Sequence, residues 1–322
     1  MAVEKLRSDW MPRGAFGMMV HWIAPGPAPE KGEQVTDLNR AVDAFNLDRF
    51  LDQFRRSGAD WLIFTIGQNS GRYASPNAVL DRLVGPGHAS RRDLVAEIAR
   101  GVHRAGKRFI GYLPCETSAP KELHAGFAWN PKDQTEFQKR YTEFIAEYAR
   151  RFGQLLDGWW FDGCYTWPEF HNSLYKWPLW FGAARAGNPH AVVAFNDGSF
   201  CIGITQPVTP LQDYLSGEVE VLKEGKIRLG REPDARLYLP EGRFAPGTRC
   251  QWHALVPIDC FWGHHTPGPM DPPRYTDEEL ISFVRSCRSV GGAVTLNVGI
   301  YQEGHIADAT LEQLARVRAA LR

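Results

Sequence analysis

The chain has 322 residues, enough for one large barrel or two ordinary domains. Hydrophobic residues make up 43% and charged residues 23%, a composition that excludes a disordered or collagen-like chain. Lys and Arg total 37 against 37 Asp and Glu, so no net field draws the chain to nucleic acid or an anionic membrane, and a neutral partner is expected.

Short apolar runs alternate with helical periodicity along the whole length, the pattern of repeated βα units around a parallel sheet. Strands are predicted at Phe16 to Trp22 and Asp60 to Ile66. Ser90 to Asp93 matches a capping box, and Leu94, Ile98 and Val102 trace the face of the helix it would open. The run Gly101 to Lys107 imitates a phosphate-binding loop, but Arg108 stands where a Ser or Thr belongs and the order is helix then strand. Gly106 is more simply a helix C-cap. A third strand follows at Arg108 to Pro114, Asn130-Pro131 opens a long helix running to Phe152, and Gly158 to Asp162 forms a fourth strand. Ala191 to Asn196 is a fifth, another is needed near Asp213 to Glu218, and no amphipathic helix is convincing between Gly198 and Arg249. Strands at Gln251 to Ile258 and Ala293 to Val298 flank a helix opened by a capping box at Thr276 to Glu279, with Leu280, Val284 and Cys287 on one face. Leu311, Leu314, Val317 and Leu321 trace the last helix. The expectation is one α/β domain over 1–322, a (β/α)8 TIM-like barrel irregular around its fifth and sixth units, with its site at the C-terminal strand ends.

No stretch of 18 apolar residues occurs, and MAVEKLRSDW holds no signal-peptide core. The chain as given is expected to be cytoplasmic, or periplasmic or secreted if a leader is removed. The six cysteines lack CxxC spacing and are expected to be reduced and structural. Eleven Trp, 10 Tyr and 18 Phe, many beside Gly, Pro and charged residues, suit a neutral, hydroxyl-rich ligand as well as a core.

In Gly158-Trp-Trp-Phe-Asp162-Gly163, alternation along a strand turns Trp160 and Asp162 to the same side, with Asp162 at the C-terminal tip. Glycosidic chemistry needs a second carboxyl group, and Glu218 is preferred because it precedes a stretch able to fold over the barrel mouth. Glu220, Glu116 and Glu169 are its alternatives. His253, Asp259, His264 and His265 could instead ligate a metal, although their spacing fits no compact template.

These residues resemble the alpha-L-fucosidase family of glycoside hydrolases over nearly the whole chain. Phe16-Gly-Met-Met-Val-His21-Trp22 resembles its FGxFxHW strand, Ser57 to Asp60 its second unit, and Trp160-Phe-Asp162-Gly163 the WFDG strand end whose Asp is the nucleophile. Asp213-Tyr214 with Glu218 is similar to D(Y/F)xxxE, Trp252 to His264 to the WETCMT stretch with its later WG pair, and Gly291 to Gly299 to GGNLLLNIG. The chain departs from the family at three places. Ile66 to Arg72 stands in place of KHHDGF, Asn196 to Ser199 in place of an Asn-Asn-Arg-like element, and His253 in place of the Glu of WET. The family's C-terminal β-sandwich has no counterpart in these residues.

The resemblance implies a retaining exo-glycosidase acting on an α-L-fucoside or related carbohydrate, with Asp162 as nucleophile and Glu218 as acid/base and no metal or cofactor required. His21, Gln68, Asn69, His253, His264 and His265 are expected around the sugar hydroxyls, with Trp22, Trp160, Trp252 and Trp262 as apolar walls. The alternatives are a non-catalytic carbohydrate-binding relative and a metal-dependent hydrolase built on His253, His264 and His265.

Overall fold

The computed structural model describes residues 5–164, 174–199, 203–232 and 234–322. Its main sheet has seven parallel strands in the order β5-β4-β3-β2-β1-β10-β9. They are β1 (Gly17–Val20), β2 (Trp61–Thr65), β3 (Arg108–Pro114), β4 (Gly158–Asp162), β5 (Val192–Phe195), β9 (His253–Pro257) and β10 (Ala293–Val298). Helices α1 (Leu38–Ala44), α2 (Leu47–Ser57), α3 (Ala78–Leu83), α4 (Leu94–Arg104), α5 (His124–Phe127), α6 (Thr135–Phe152), α7 (Trp177–Ala184), α8 (Asp277–Ser289) and α9 (Asp308–Ala320) lie between and after these strands, as in a TIM-like barrel. Between β5 and β9 the described residues carry no helix; a small antiparallel sheet of β6 (Leu222–Lys223), β7 (Lys226–Arg228) and β8 (Leu237–Tyr238) lies there. No helix among the described residues is long and apolar enough to cross a membrane.

Period-two alternation divides every barrel strand between two buried faces. Outward residues such as Met18, Phe64, Phe161 and Val256 join the large cluster under the helices. Inward residues Met19, Trp61, Ile63, Ile110, Tyr112, Trp160 and Leu255 fill the lumen. Gly17 is inward too, and a Cβ there would meet the Trp61 indole at 1.9 Å, so this position makes room for the ring. Trp61 Nε1 donates to Thr295 Oγ1 (2.9 Å), which lies 2.8 Å from His253 Nε2, while His253 Nδ1 lies 2.9 Å from the Leu215 carbonyl. A polar chain through the packed lumen therefore has its donors and acceptors matched.

Segment 213–219 runs beside the sheet without forming a regular strand. Asp213 N donates to Val193 O (2.9 Å), Leu215 N to Gln251 O (3.0 Å) and Val219 N to Leu255 O (2.9 Å). Gly217 sits at φ 75°, where a Cβ would come within 2.2 Å of the His253 carbonyl, so this turn needs glycine.

Two helix starts differ from the sequence expectation. Asp93, not Ser90, caps α4 by accepting the Ala96 amide, because Ser90 spends its hydroxyl on the Arg92 carbonyl. α6 begins at Thr135, since Asn130 caps a preceding turn by accepting the Lys132 amide. The capping box at Thr276 and Glu279 is present, and Gly106 follows α4 at φ 70°. The five described cysteines are buried, and Cys201 lies outside the described residues.

Candidate active site

At the C-terminal strand ends lies a cavity of about 980 Å³ that takes in Asp162, Glu218, His21, Gln68 and Asn69. Asp162 is the last residue of β4, one inward step beyond Trp160, so its carboxylate faces the cavity while the indole stays in the lumen. Three donors converge on it: Asn196 Nδ2 at 2.9 Å on Oδ1, Gln68 Nε2 at 3.1 Å on Oδ2, and the Tyr112 hydroxyl on Oδ2. Such charge-assisted contacts hold a carboxylate in one orientation.

Glu218 follows the Gly217 turn and is 9% exposed. Burial, then the charge of Asp162, push its carboxyl up to about 8; the Asn196 side chain opposes the shift and Asp197 adds to it. Two carboxyl groups on one cavity, one of them protonated at neutral pH, form an acid paired with a carboxylate. Between the unfolded value of 4.5 and the folded value of about 8, only the folded chain keeps the Glu218 proton, so stability falls as pH rises through that window. Glu218→Gln removes the loss. Above pH 8 it should stabilise the fold by on the order of a few kcal/mol in urea melts, with the gain vanishing near pH 4.5.

His21, inward at the end of β1, places Nδ1 2.9 Å from Asn297 Oδ1. Asn297 Nδ2 points instead to the Trp262 carbonyl at 3.4 Å, so its oxygen accepts from His21 and Nε2 is left as an acceptor. Burial lowers this imidazole to about 4, keeping it neutral at working pH. Trp262 lines the cavity with its backbone at φ 66°, a left-handed conformation that costs a bulky residue about 1–3 kcal/mol and is typical of functional sites.

Five residues expected around a sugar lie elsewhere. Trp22 is the outward neighbour of His21; it is fully buried, its ring packs edge-on against Phe45 and Nε1 donates to the Gln302 carbonyl. Trp252 is likewise outward and in the core under the helices. Trp160 stacks on Tyr112 (5.1 Å between centroids) and His253 sits in the lumen chain, both beneath the cavity floor. In the loop after β9, His264 turns to the Gly268 carbonyl and Tyr301, and His265 reaches the cavity instead. The histidines proposed as a metal set are thus separated. Among the described residues no three His, Cys, Asp or Glu side chains form a metal-holding group. Of the alternative acids, Glu220 pairs with Arg231 outside the cavity, Glu116 lines it, and Glu169 lies outside the described residues.

The two tryptophans at the barrel mouth should separate by experiment. Trp22→Ala should lower unfolding free energy by about 3–5 kcal/mol. Trp262→Ala should leave stability nearly unchanged while weakening sugar binding, read by denaturant melts and calorimetric titration.

Tyr112 and Asn196 are the site residues the motif reading missed. Each was accessible by parity: Tyr112 shares the face of Ile110, and Asn196 continues the inward positions Val192 and Ala194 of β5.

The same architecture occurs in solved glycoside hydrolases. Alpha-L-fucosidase isoenzyme 1 from Paenibacillus thiaminolyticus superposes with a TM-score of 0.67 at 19% identity, covering 97% of this chain and 74% of that one. Unliganded alpha-L-fucosidase AlfC from Lactobacillus casei gives 0.62 at 15% identity, covering 97% of each chain. The endo-fucoidan hydrolase MfFcnA4 from glycoside hydrolase family 107 gives 0.65 at 17% identity, and this chain spans 53% of its length. At such identities the likeness concerns the fold. No family model and no curated protein matches the sequence.

Proposed function

We propose that this chain is a retaining exo-glycosidase that cleaves an α-L-fucoside or related glycoside by double displacement. The observation that carries the reading is the pairing on one cavity of Asp162, held by Tyr112, Gln68 and Asn196, with a Glu218 raised to about 8. The shared fold with alpha-L-fucosidases and endo-fucoidan hydrolases supports the same chemistry. In this reading residues 1–322 are a single catalytic domain, and segment 213–219 is the irregular eighth stave of the barrel, joining β5 to β9.

In the first step Asp162 attacks the anomeric carbon, the glycosidic C–O bond breaks, and Glu218 gives its proton to the departing oxygen. Forming the ester removes the charge of Asp162. The repulsion that raised Glu218 falls with it, which prepares the resulting carboxylate to take a proton from water in the second step. Water then attacks the anomeric carbon and releases Asp162. His21, Asn69 and Trp262 bind the sugar. Retention requires the two carboxyl groups to act about 5–5.5 Å apart.

A panel of 4-nitrophenyl glycosides tests this reading, with NMR of the first-formed product anomer. Turnover of the α-L-fucoside with the α-anomer appearing first is the expected result. Sugar binding without turnover on any member would favour a non-catalytic binding protein.

A further inference from the structure

The carboxyl groups of the cavity gather on one side, and all but the protonated Glu218 can carry charge at neutral pH. Asp162, Glu218, Glu116 and Asp197 all line it, and no Lys or Arg does so among the described residues. The residues outside that description, 1–4, 165–173, 200–202 and 233, contain no Lys or Arg either. A chain with equal totals of acidic and basic residues therefore presents an acidic pocket.

The acids form an arc. Glu116 follows β3, Asp162 ends β4, Asp197 follows β5, and Glu218 lies on the segment between β5 and β9. Glu116 is 5% exposed and packs against the backbone just beyond Asp162: a Cβ on Gly163 would lie 2.9 Å from its Cγ. Asp197 accepts the Ser199 amide (3.0 Å), and its charge is felt at Glu218. The rest of the lining, with His21, Gln68, Asn69 and Trp262, offers neutral hydrogen-bonding and apolar groups.

We propose that Glu116 and Asp197 are specificity-determining residues that restrict the pocket to uncharged glycans and reject sulfated or carboxylated ones. This rests on the glycosidase reading and deepens it. A sulfate ester brought into the arc would meet carboxylates in a partly desolvated site, with no guanidinium or ammonium to pair with it. Recognition of an anionic glycan would call for Lys or Arg at the pocket, and among the described residues neither lines it.

The test compares 4-nitrophenyl α-L-fucoside with its mono-O-sulfated forms and with the matching O-methylsulfonyl esters, which have similar bulk and no charge. Parent kcat/KM should fall about 100-fold or more for a sulfate relative to its methylsulfonyl partner. Glu116→Gln and Asp197→Asn should each narrow that ratio about tenfold, whatever their effect on the neutral substrate. Equal rates for each sulfate and its neutral partner, or a ratio unmoved in both variants, would overturn the proposal. If no fucoside is turned over, the glycosidase reading fails separately. The inference is then read by calorimetric titration of L-fucose against L-fucose sulfates: selective binding of the neutral sugar supports it, and equal binding or none by either sugar overturns it.

Discussion

Asp162→Gly should lower turnover of an activated aryl α-L-fucoside by at least about 10³-fold while leaving the fold intact. The loss follows from position. Asp162 ends a strand whose inward partners are packed, and the side chains of Asn196, Gln68 and Tyr112 converge on its carboxylate. Added azide or formate occupies the vacated space, attacks from the same side and should restore part of the rate with an inverted product. Unchanged turnover in Asp162→Gly, or rescue with retention, would sink the assignment.

Glu218→Gln should divide substrates by their leaving groups. Natural linkages and other poor leaving groups depend on protonation and should slow by about 10²–10⁴-fold, whereas 2,4-dinitrophenyl glycosides should lose little in the first step. The parent's kcat/KM should hold level up to a limb near pH 8 and fall tenfold per unit above it, because the acid must carry its proton and burial places that loss at about 8. His21 should add no limb near 6.5, since it is neutral above about 4. In Glu218→Gln the alkaline limb should disappear. Equal slowing across leaving groups, or a limb surviving near pH 8, would contradict the acid role.

Alternation was the most readable part of the sequence. It sends His21 and Asp162 inward and would have sent Tyr112 and Asn196 with them. It cannot say which inward side chain is the uppermost. Trp160 and His253 obey the same parity as site residues yet lie one layer or more below the cavity, buried by what stacks above them. Trp22 and Trp252 stand beside inward residues in the motifs but face the helices, where a large apolar ring is core. Both faces of a barrel strand are buried, so hydropathy alone does not separate them.

Loops were less readable for a different reason. The left-handed turn at Trp262 decides that His265, not His264, reaches the cavity, and a one-residue change of direction leaves no periodic trace. Glu218 was legible from its place before a stretch able to fold over the mouth and from its motif, not from alternation, because Gly217 breaks the strand pattern. The extra acids Glu116 and Asp197 sit on separate loops and meet only because β3, β4 and β5 are neighbours in the sheet.

The most direct measurement is trapping of the intermediate. The chain is incubated with 2-deoxy-2-fluoro-α-L-fucosyl fluoride, digested with a protease, and the labelled peptide is sequenced by mass spectrometry. One fluorofucosyl ester is expected, on Asp162, and no label in Asp162→Asn. A label on Glu116 or Glu218, or an active enzyme that never acquires one, would contradict it.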